Sequence, residues 1–160
     1  MRINKTNYYL DIAQTVASRG TCFRRLYGAI IVKNDVIVAT GYNGAPRGRQ
    51  NCCDRGYCQR KAMDIPRGER FELCRAVHSE ANAIIAASRE IMLDATMYQS
   101  CIDPANGELI TGIDSCQMCK RMIINAGIAT VVYRVTPTEY RTVAVKDWIA
   151  CDDSLGTIGY

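Results

Sequence analysis

Apolar and polar residues follow one another along the first part of the chain with two distinct periods. Apolar side chains recur at helical spacing over 7–18, which predicts a first helix that stops before Gly20. Two short apolar runs, 27–32 and 36–41, flank the polar residues 33–35. Runs separated by such a turn predict two strands paired as an antiparallel hairpin.

Helices and strands alternate in the second half of the chain. The strongest helical pattern covers 68–89, and another helix is predicted over 115–125, where Gly127 suits the position just after a helix end. Each helix leads into a predicted strand, 95–100 after the first and 128–135 after the second. Because a helix forms the crossover between them, these two strands are expected to be neighbours in one sheet.

The segment 138–150 is predicted as a final helix, with Trp148 covering the core. The order of elements is then helix, hairpin, helix, strand, helix, strand, helix. This order predicts an α/β fold, a three-layer α/β/α sandwich with a mixed central sheet. A length of 160 residues suits a single domain, 1–160.

One long stretch, 42–66, shows neither the helical nor the strand period of apolar residues and is rich in Gly, Pro, Asn, Asp and Cys. Irregular stretches of that length are uncommon inside a compact domain. We therefore expect a functional loop, or a loop that something else holds in place.

Composition and charge are ordinary for a soluble globular protein, with 48% hydrophobic residues, 22% charged residues and a net charge of +4. No apolar run reaches the roughly 18 residues that a membrane span needs, and the first residues lack an apolar signal core. A cytoplasmic protein without membrane contact is predicted. The densest basic positions suit a solvated surface or phosphate binding, and nothing resembles a nucleic-acid-binding arm. These positions are Arg24, Arg25, Arg47 and Arg49.

The chain has nine cysteines and a single histidine, His78. In a reducing compartment, clustered cysteines bind metal or take part in chemistry more often than they form disulfides. Two short motifs then matter: His78-Ser79-Glu80, and Cys116 with Cys119 in the first turn of a predicted helix. Each motif alone is weak evidence, since a lone histidine is usually a core residue and a lone Cys-x-x-Cys is often structural. Together they supply one imidazole and two thiolates, three ligands that leave a catalytic zinc one open position.

His-x-Glu followed by Cys-x-x-Cys is the arrangement of zinc nucleobase deaminases. On these residues the chain resembles the deoxycytidylate deaminase branch of the cytidine deaminase superfamily. Four segments carry the resemblance: 22–29, 41–48, 78–84 and 116–127. The resemblance implies a cytidine deaminase-like fold and zinc-dependent hydrolysis of dCMP to dUMP and ammonia, which supplies dUMP for thymidylate synthesis.

The same resemblance assigns roles to individual residues. Zinc would lower the pKa of an attacking water. Glu80 would take the proton of that water, pass it to N3 of cytosine and later protonate the departing ammonia. Asn43 would hydrogen-bond the nucleotide, although a purely structural role in a turn is equally open.

Weaker candidates for substrate contacts complete the predicted site. Ser79 would add a contact through its hydroxyl. Tyr133 would pack on base or sugar and the Arg24-Arg25 pair would bind phosphate, or these residues would have purely structural roles. Two positions depart from the family pattern. Ser79 stands where the family usually has Ala, and Ser115 stands where it usually has Pro, although Ser suits a helix N-cap.

Four further cysteines, Cys22, Cys52, Cys58 and Cys74, are expected near the site. They would be free buried thiols, or they would hold a second, structural zinc, because some phage and bacterial members of the resembled branch carry one beside this loop. The remaining three are expected to be outside any metal site: Cys53, Cys101 and Cys151.

Two other classes of function stay open at this point. One is a deaminase of another cytosine nucleotide (dCTP or a 5-modified dCMP), of a free nucleoside, or of a nucleic-acid base. The other is a non-catalytic, zinc-stabilised binding module. The resemblance further implies a homo-oligomer, with a hexamer favoured, and regulation by dCTP and dTTP, with Mg²⁺ accompanying a triphosphate effector.

Overall fold

A five-stranded mixed sheet lies at the centre of the fold in a computed structural model that describes residues 1–151. The strands are β1 (Leu26–Lys33), β2 (Val36–Tyr42), β3 (Thr96–Ile102), β4 (Thr130–Arg134) and β5 (Tyr140–Ala144). Their order is β2-β1-β3-β4-β5. Strand β1 is antiparallel to β2 and β3, β3 is parallel to β4, and β5 is antiparallel to β4. The predicted hairpin and the predicted neighbouring crossover strands are both confirmed.

Helices cover both faces of this sheet. They are α1 (Lys5–Ala17), α2 (Cys52–Arg55), α3 (Gln59–Ala62), α4 (Ser79–Ile85), α5 (Arg89–Met92), α6 (Gln117–Ala126) and α7 (Val145–Ala150). Helix α1 packs on one face, where Tyr9 and Ala13 meet Ile30 of β1. On the other face, Ala83 of α4 and Ile123 of α6 belong to the main core. The predicted α/β sandwich with a mixed sheet is therefore confirmed.

Two glycines allow the helices to approach the sheet closely. A Cβ atom at Gly28 would lie 2.0 Å from the carbonyl oxygen of Ala13 in α1. A Cβ atom at Gly41 would lie 2.3 Å from the carbonyl oxygen of Ser79, in the first turn of α4. These separations are shorter than any carbon–oxygen contact, so both strand positions require glycine. The second contact fixes the start of α4 against β2.

The helix predicted over 68–89 is wrong in its first half. Helix α4 begins only at Ser79, and a single 3₁₀ turn, Phe71–Leu73, is the only helical part of the segment before it. Gly68 and Arg70 have φ angles of +88° and +50°. Such left-handed residues cannot lie inside a right-handed helix.

The final helix predicted over 138–150 is also wrong in its first half. Residues Tyr140–Ala144 form β5, and α7 follows directly. The free edge of β4 offers backbone partners, and β-branched Thr142 and Val143 suit that pairing. Trp148 is partly buried against the main core, as predicted.

The irregular stretch predicted over 42–66 contains two single-turn helices, α2 and α3. It is tied to the rest of the fold by a bridge between Gly44 and Val77 and by a hydrogen bond from Cys53 N to Thr21 O at 3.2 Å. Residues 152–160 of the predicted domain lie outside the described residues. No helix in 1–151 is long and apolar enough to cross a bilayer.

Candidate metal and catalytic site

Three side chains converge where α4 and α6 begin. His78 is the N-cap residue of α4, Cys116 is the N-cap residue of α6, and Cys119 lies in the first turn of α6. His78 Nδ1 is 3.5 Å from Cys116 Sγ and 3.4 Å from Cys119 Sγ. Among residues 1–151, these three form the one group of His, Cys, Asp or Glu side chains whose ligand atoms all lie within 4.8 Å of one another.

The spacing of these atoms fits a tetrahedral zinc. Zinc–nitrogen and zinc–sulfur bonds of about 2.0–2.1 and 2.3 Å place the nitrogen and each sulfur about 3.5 Å apart. A hydrogen bond from the Cys119 thiol, with His78 adding to it, lowers the pKa of Cys116 despite its burial. The neighbouring Cys116 thiolate, together with burial, raises the pKa of Cys119. Two thiolates this close repel each other, so a divalent cation between them suits this donor set.

Glu80 stands beside the three ligands without joining them. It is 5% exposed, lines the cavity in front of His78, and accepts a hydrogen bond from the Ser79 hydroxyl to Oε2 at 3.1 Å. A buried carboxylate that lines a cavity next to a metal site is placed to exchange protons with a bound molecule.

The cavity has a volume of about 450 Å³, enough for a small molecule. Five cationic side chains line it: Arg24, Arg25, Arg60, Arg67 and Lys120. Lys120 pairs with Asp114 at 3.0 Å, whereas within the described chain none of the four arginines has a carboxylate within 4.0 Å. The cavity is therefore positively charged overall and suits an anionic ligand.

Known proteins resemble the chain over most of its length. A family profile described as the cytidine and deoxycytidylate deaminase zinc-binding region matches residues 3–135. The chain belongs to this family. The predicted resemblance is confirmed.

Two curated relatives of this deaminase family differ in how much of them the chain covers. The deoxycytidylate deaminase of Mycobacterium phage D29 is 34% identical over 131 residues, which are 79% of this chain and 91% of that protein. The deoxycytidylate deaminase of Schizosaccharomyces pombe is 32% identical over 130 residues, or 81% of this chain and 37% of that protein. The chain thus spans little more than a third of the yeast relative.

Solved structures of deaminases share the fold. The dCMP deaminase of cyanophage S-TIM5, solved in complex with dCMP and dUMP, superposes with a TM-score of 0.58 at 27% identity, covering 84% of either chain. The cytidine deaminase of Burkholderia pseudomallei superposes with a TM-score of 0.54 at 15% identity, covering 88% of this chain and 92% of that one. The second likeness concerns the fold alone.

Three of the predicted substrate residues of this deaminase-family chain line the cavity: Asn43, Arg24 and Arg25. The Asn43 amide is already engaged: Oδ1 accepts from Tyr27 N at 2.9 Å and Nδ2 donates to Arg25 O at 2.9 Å. These bonds fix the start of β1 and support a structural role. A nucleotide contact by Asn43 stays a prediction.

The other two predicted substrate residues are not at the cavity surface. Ser79 is 0% exposed and donates its hydroxyl to Glu80. Tyr133 is 1% exposed, and its hydroxyl bonds to Ser115 Oγ at 2.9 Å. We correct both assignments, because a side chain enclosed by protein cannot touch a ligand in the cavity. Ser79 instead contacts the site residue Glu80, and Tyr133 contacts Ser115, which directly precedes Cys116.

The sequence patterns missed several cavity residues in the irregular segments. The ring of Phe71 packs edge-on against His78, with centroids 5.1 Å apart, and the Arg60 guanidinium lies 4.6 Å over Phe71. Arg67, Asp114 and Lys120 were also missed. Most of these residues lie in segments without helical or strand period, so no sequence signal shows which way they point.

The remaining predicted metal ligands form a cysteine cluster, Cys22, Cys52, Cys58 and Cys74. Burial raises the pKa of Cys52, and the charges of the other three add to this effect, so the four thiols are near neighbours. Three of them line the cavity. No three of the four, however, meet the 4.8 Å spacing of the His78 group within residues 1–151.

Backbone donors approach two of these thiols. Arg24 N donates to Cys22 Sγ at 3.4 Å. Burial raises the pKa of Cys74, but hydrogen bonds from His78 and from the Ala76 backbone outweigh it and lower this pKa overall. Of the other cysteines, Cys101 is fully buried in the core, while Cys53 and Cys151 are exposed.

Proposed function

We propose that the chain is a zinc-dependent hydrolytic deaminase that converts dCMP to dUMP and ammonia. The observation that carries this proposal is the group of His78, Cys116 and Cys119 at zinc-ligand spacing, with the Glu80 carboxylate beside it. Such a set leaves one position for a reacting molecule. A non-catalytic zinc module would need neither an open position nor a buried glutamate facing a cavity.

Each residue has a defined task in this proposal. His78, Cys116 and Cys119 hold the zinc, which when bound supplies a water of lowered pKa. Glu80 takes a proton from the attacking water and delivers it to N3 of cytosine. The water oxygen bonds to C4, and Glu80 then takes the second proton of that oxygen and delivers it to the amino group. The bond from C4 to that nitrogen breaks, the oxygen stays on C4 as a carbonyl, and ammonia leaves. One water is consumed and one ammonia released, so the reaction balances.

The charge of the cavity favours a nucleotide over a nucleoside. Four arginines line it without carboxylate partners in the described structure, and the phosphate of dCMP would supply the missing negative charge. Arg25 and its neighbour Arg24 remain the candidates from the sequence for this contact. The D29 phage relative, 91% of which the chain covers, supports dCMP as the substrate.

A substrate panel tests the function directly. Ammonia release is measured with dCMP, dCTP, CMP, deoxycytidine and cytosine-bearing single-stranded DNA, using protein shown to contain zinc. We expect dCMP to have the highest kcat/KM, with deoxycytidine at least about 10-fold lower, since charge-assisted bonds to the phosphate are worth roughly 1.5–3 kcal/mol. Turnover of single-stranded DNA alone, or of nothing in the panel, would contradict the proposal.

Assembly and regulation are proposed from the resemblance alone. We expect a homo-oligomer, a hexamer by preference, activation by dCTP with Mg²⁺, and inhibition by dTTP, in the cytoplasm. Adding both triphosphates to the dCMP assay tests the regulation. Measuring the mass of the protein in solution tests the assembly, separately from the reaction.

We also propose a second, structural zinc on the cysteine cluster. The neighbourhood of the four thiols, and the backbone N–H donors at Cys22 and Cys74, support it. The cluster would have to contract, because four sulfurs around one zinc lie closer together than these do. A bound metal there would hold the long irregular loop against the cavity.

Metal content tests this second site. The purified protein is expected to hold two zinc ions per chain, and Cys52→Ser is expected to hold one, because a serine hydroxyl stays protonated and binds zinc poorly. The matched control is Cys53→Ser, which changes the exposed neighbour and should keep both ions. One zinc per wild-type chain would show that the cluster consists of free thiols.

A further inference from the structure

Gln99, Ser115 and Tyr133 form a buried polar group directly behind Cys116. They are 1%, 3% and 1% exposed. Gln99 lies on β3 and Tyr133 pairs with it from the parallel strand β4. Ser115 immediately precedes Cys116, so it sets the path by which the chain enters α6.

Ser115 is the centre of this group. Its Oγ accepts a hydrogen bond from Gln99 Nε2 at 3.1 Å and another from the Tyr133 hydroxyl at 2.9 Å. Its backbone N–H lies 3.3 Å from the Tyr133 hydroxyl oxygen, which accepts from it. The side chain of Ser115 is therefore held by β3 and β4, and its main chain is held by β4.

Neighbouring contacts fix the same segment from its other side. The Arg141 guanidinium lies 4.4 Å over the Tyr133 ring and donates to Ile113 O at 3.0 Å. Asp114 accepts from Ser115 N at 3.0 Å and pairs with Lys120 in α6, also at 3.0 Å. The residues before Cys116 thus have little freedom to move.

We propose that Tyr133, Ser115 and Gln99 are positioning residues that fix the Cys116 thiolate in the direction zinc requires. This inference rests on the proposed function, since it takes Cys116 as a zinc ligand. Metal affinity depends on the hydrogen bonds that orient the ligands, and losing one typically costs 10–100-fold. Ser115 has no ring to restrict its backbone, so its hydrogen bonds supply the rigidity at this position.

The test removes the shared hydrogen bonds and follows zinc rather than deamination. Tyr133→Phe keeps the ring and deletes both bonds of its hydroxyl, to Ser115 Oγ and from Ser115 N, while Ser115→Ala deletes the two bonds to Ser115 Oγ. We expect each to release zinc to a chromophoric chelator about 10-fold faster or more. The double variant should release zinc more slowly than the two single effects combined would predict, because both changes remove the bond between the Tyr133 hydroxyl and Ser115 Oγ. Repeating the measurement in Cys52→Ser excludes zinc from the cysteine cluster.

Cobalt substitution and a matched control separate positioning from simple loss of stability. The thiolate-to-cobalt absorption bands should shift in Tyr133→Phe and Ser115→Ala, because the sulfur of Cys116 turns relative to the metal. Tyr98→Phe removes a hydroxyl from β3 on the face that packs against Tyr9, and should change neither readout. A lower melting temperature with unchanged zinc release and unchanged bands would overturn the proposal. Since no substrate is present, failure of deamination would leave this result unaffected.

Discussion

Glu80→Gln is expected to retain its zinc and lose nearly all deaminase activity. Glutamine has almost the same shape and can still meet the Ser79 hydroxyl, but it cannot take a proton from water. Proton transfer by a positioned side chain contributes 10²–10⁴-fold, and Glu80 is proposed to act in several successive transfers. We therefore expect kcat for dCMP to fall by at least about 10³-fold.

The measurement combines ammonia release with zinc analysis on the same preparation. Glu90→Gln makes the same chemical change at an exposed position of α5 and should leave both values unaltered. Near-normal turnover by Glu80→Gln would rule out the carboxylate as the proton carrier. A loss of zinc together with activity would instead place Glu80 among the ligands, contrary to its position outside the group of three.

Cys119→Ser is expected to abolish both zinc binding at the site and activity. Cys119 is 0% exposed and supplies one of the three protein ligands of the group. Removing one zinc ligand leaves His78 and one thiolate, too few to retain the ion. The substituted serine would be an enclosed hydroxyl, and a lower melting temperature should accompany the loss of metal.

Zinc per chain, turnover of dCMP and thermal unfolding should be measured together. Cys53→Ser serves again as the matched control, because its thiol is exposed and remote from the group of three. Full zinc occupancy and normal turnover in Cys119→Ser would refute the assignment of this sulfur to the metal.

The ligand group could be predicted because its residue types are rare and its spacing is local. His78 is the only histidine, and Cys116 and Cys119 are separated by the length of one helical turn. The central hairpin and the crossover between β3 and β4 could be predicted for a similar reason, since short apolar runs and turns are local patterns. The structure contains these elements where the local patterns predict them.

The secondary-structure predictions are wrong where contacts between residues distant in sequence determine the local structure. The pattern over 68–89 has helical spacing throughout, but the left-handed residues Gly68 and Arg70 interrupt it and bring Phe71 to the side of His78. The residues of β5 became a strand because β4 offered an unpaired edge. Neither the interruption by left-handed residues nor the pairing of β5 with β4 can be recognised from the spacing of apolar residues.

The orientation of single side chains was the least predictable property. Tyr133 was predicted to touch substrate, yet it points into the core, because alternate residues of a strand face opposite sides of the sheet and the register of β4 decides which. The four arginines of the cavity, Arg24, Arg25, Arg60 and Arg67, come from segments for which the sequence predicted neither helix nor strand, so no period relates position to direction.

The proposed zinc ligands come from parts of the chain that are far apart in sequence. His78 and Cys116 are 38 residues apart in sequence, with β3 between them. An unfolded chain would have to close that long loop before both could bind one ion. The complete ligand set therefore exists only in the folded chain, and an ion bound there stabilises the native state by mass action. A cell short of zinc would therefore lose this protein by degradation as well as by inactivity.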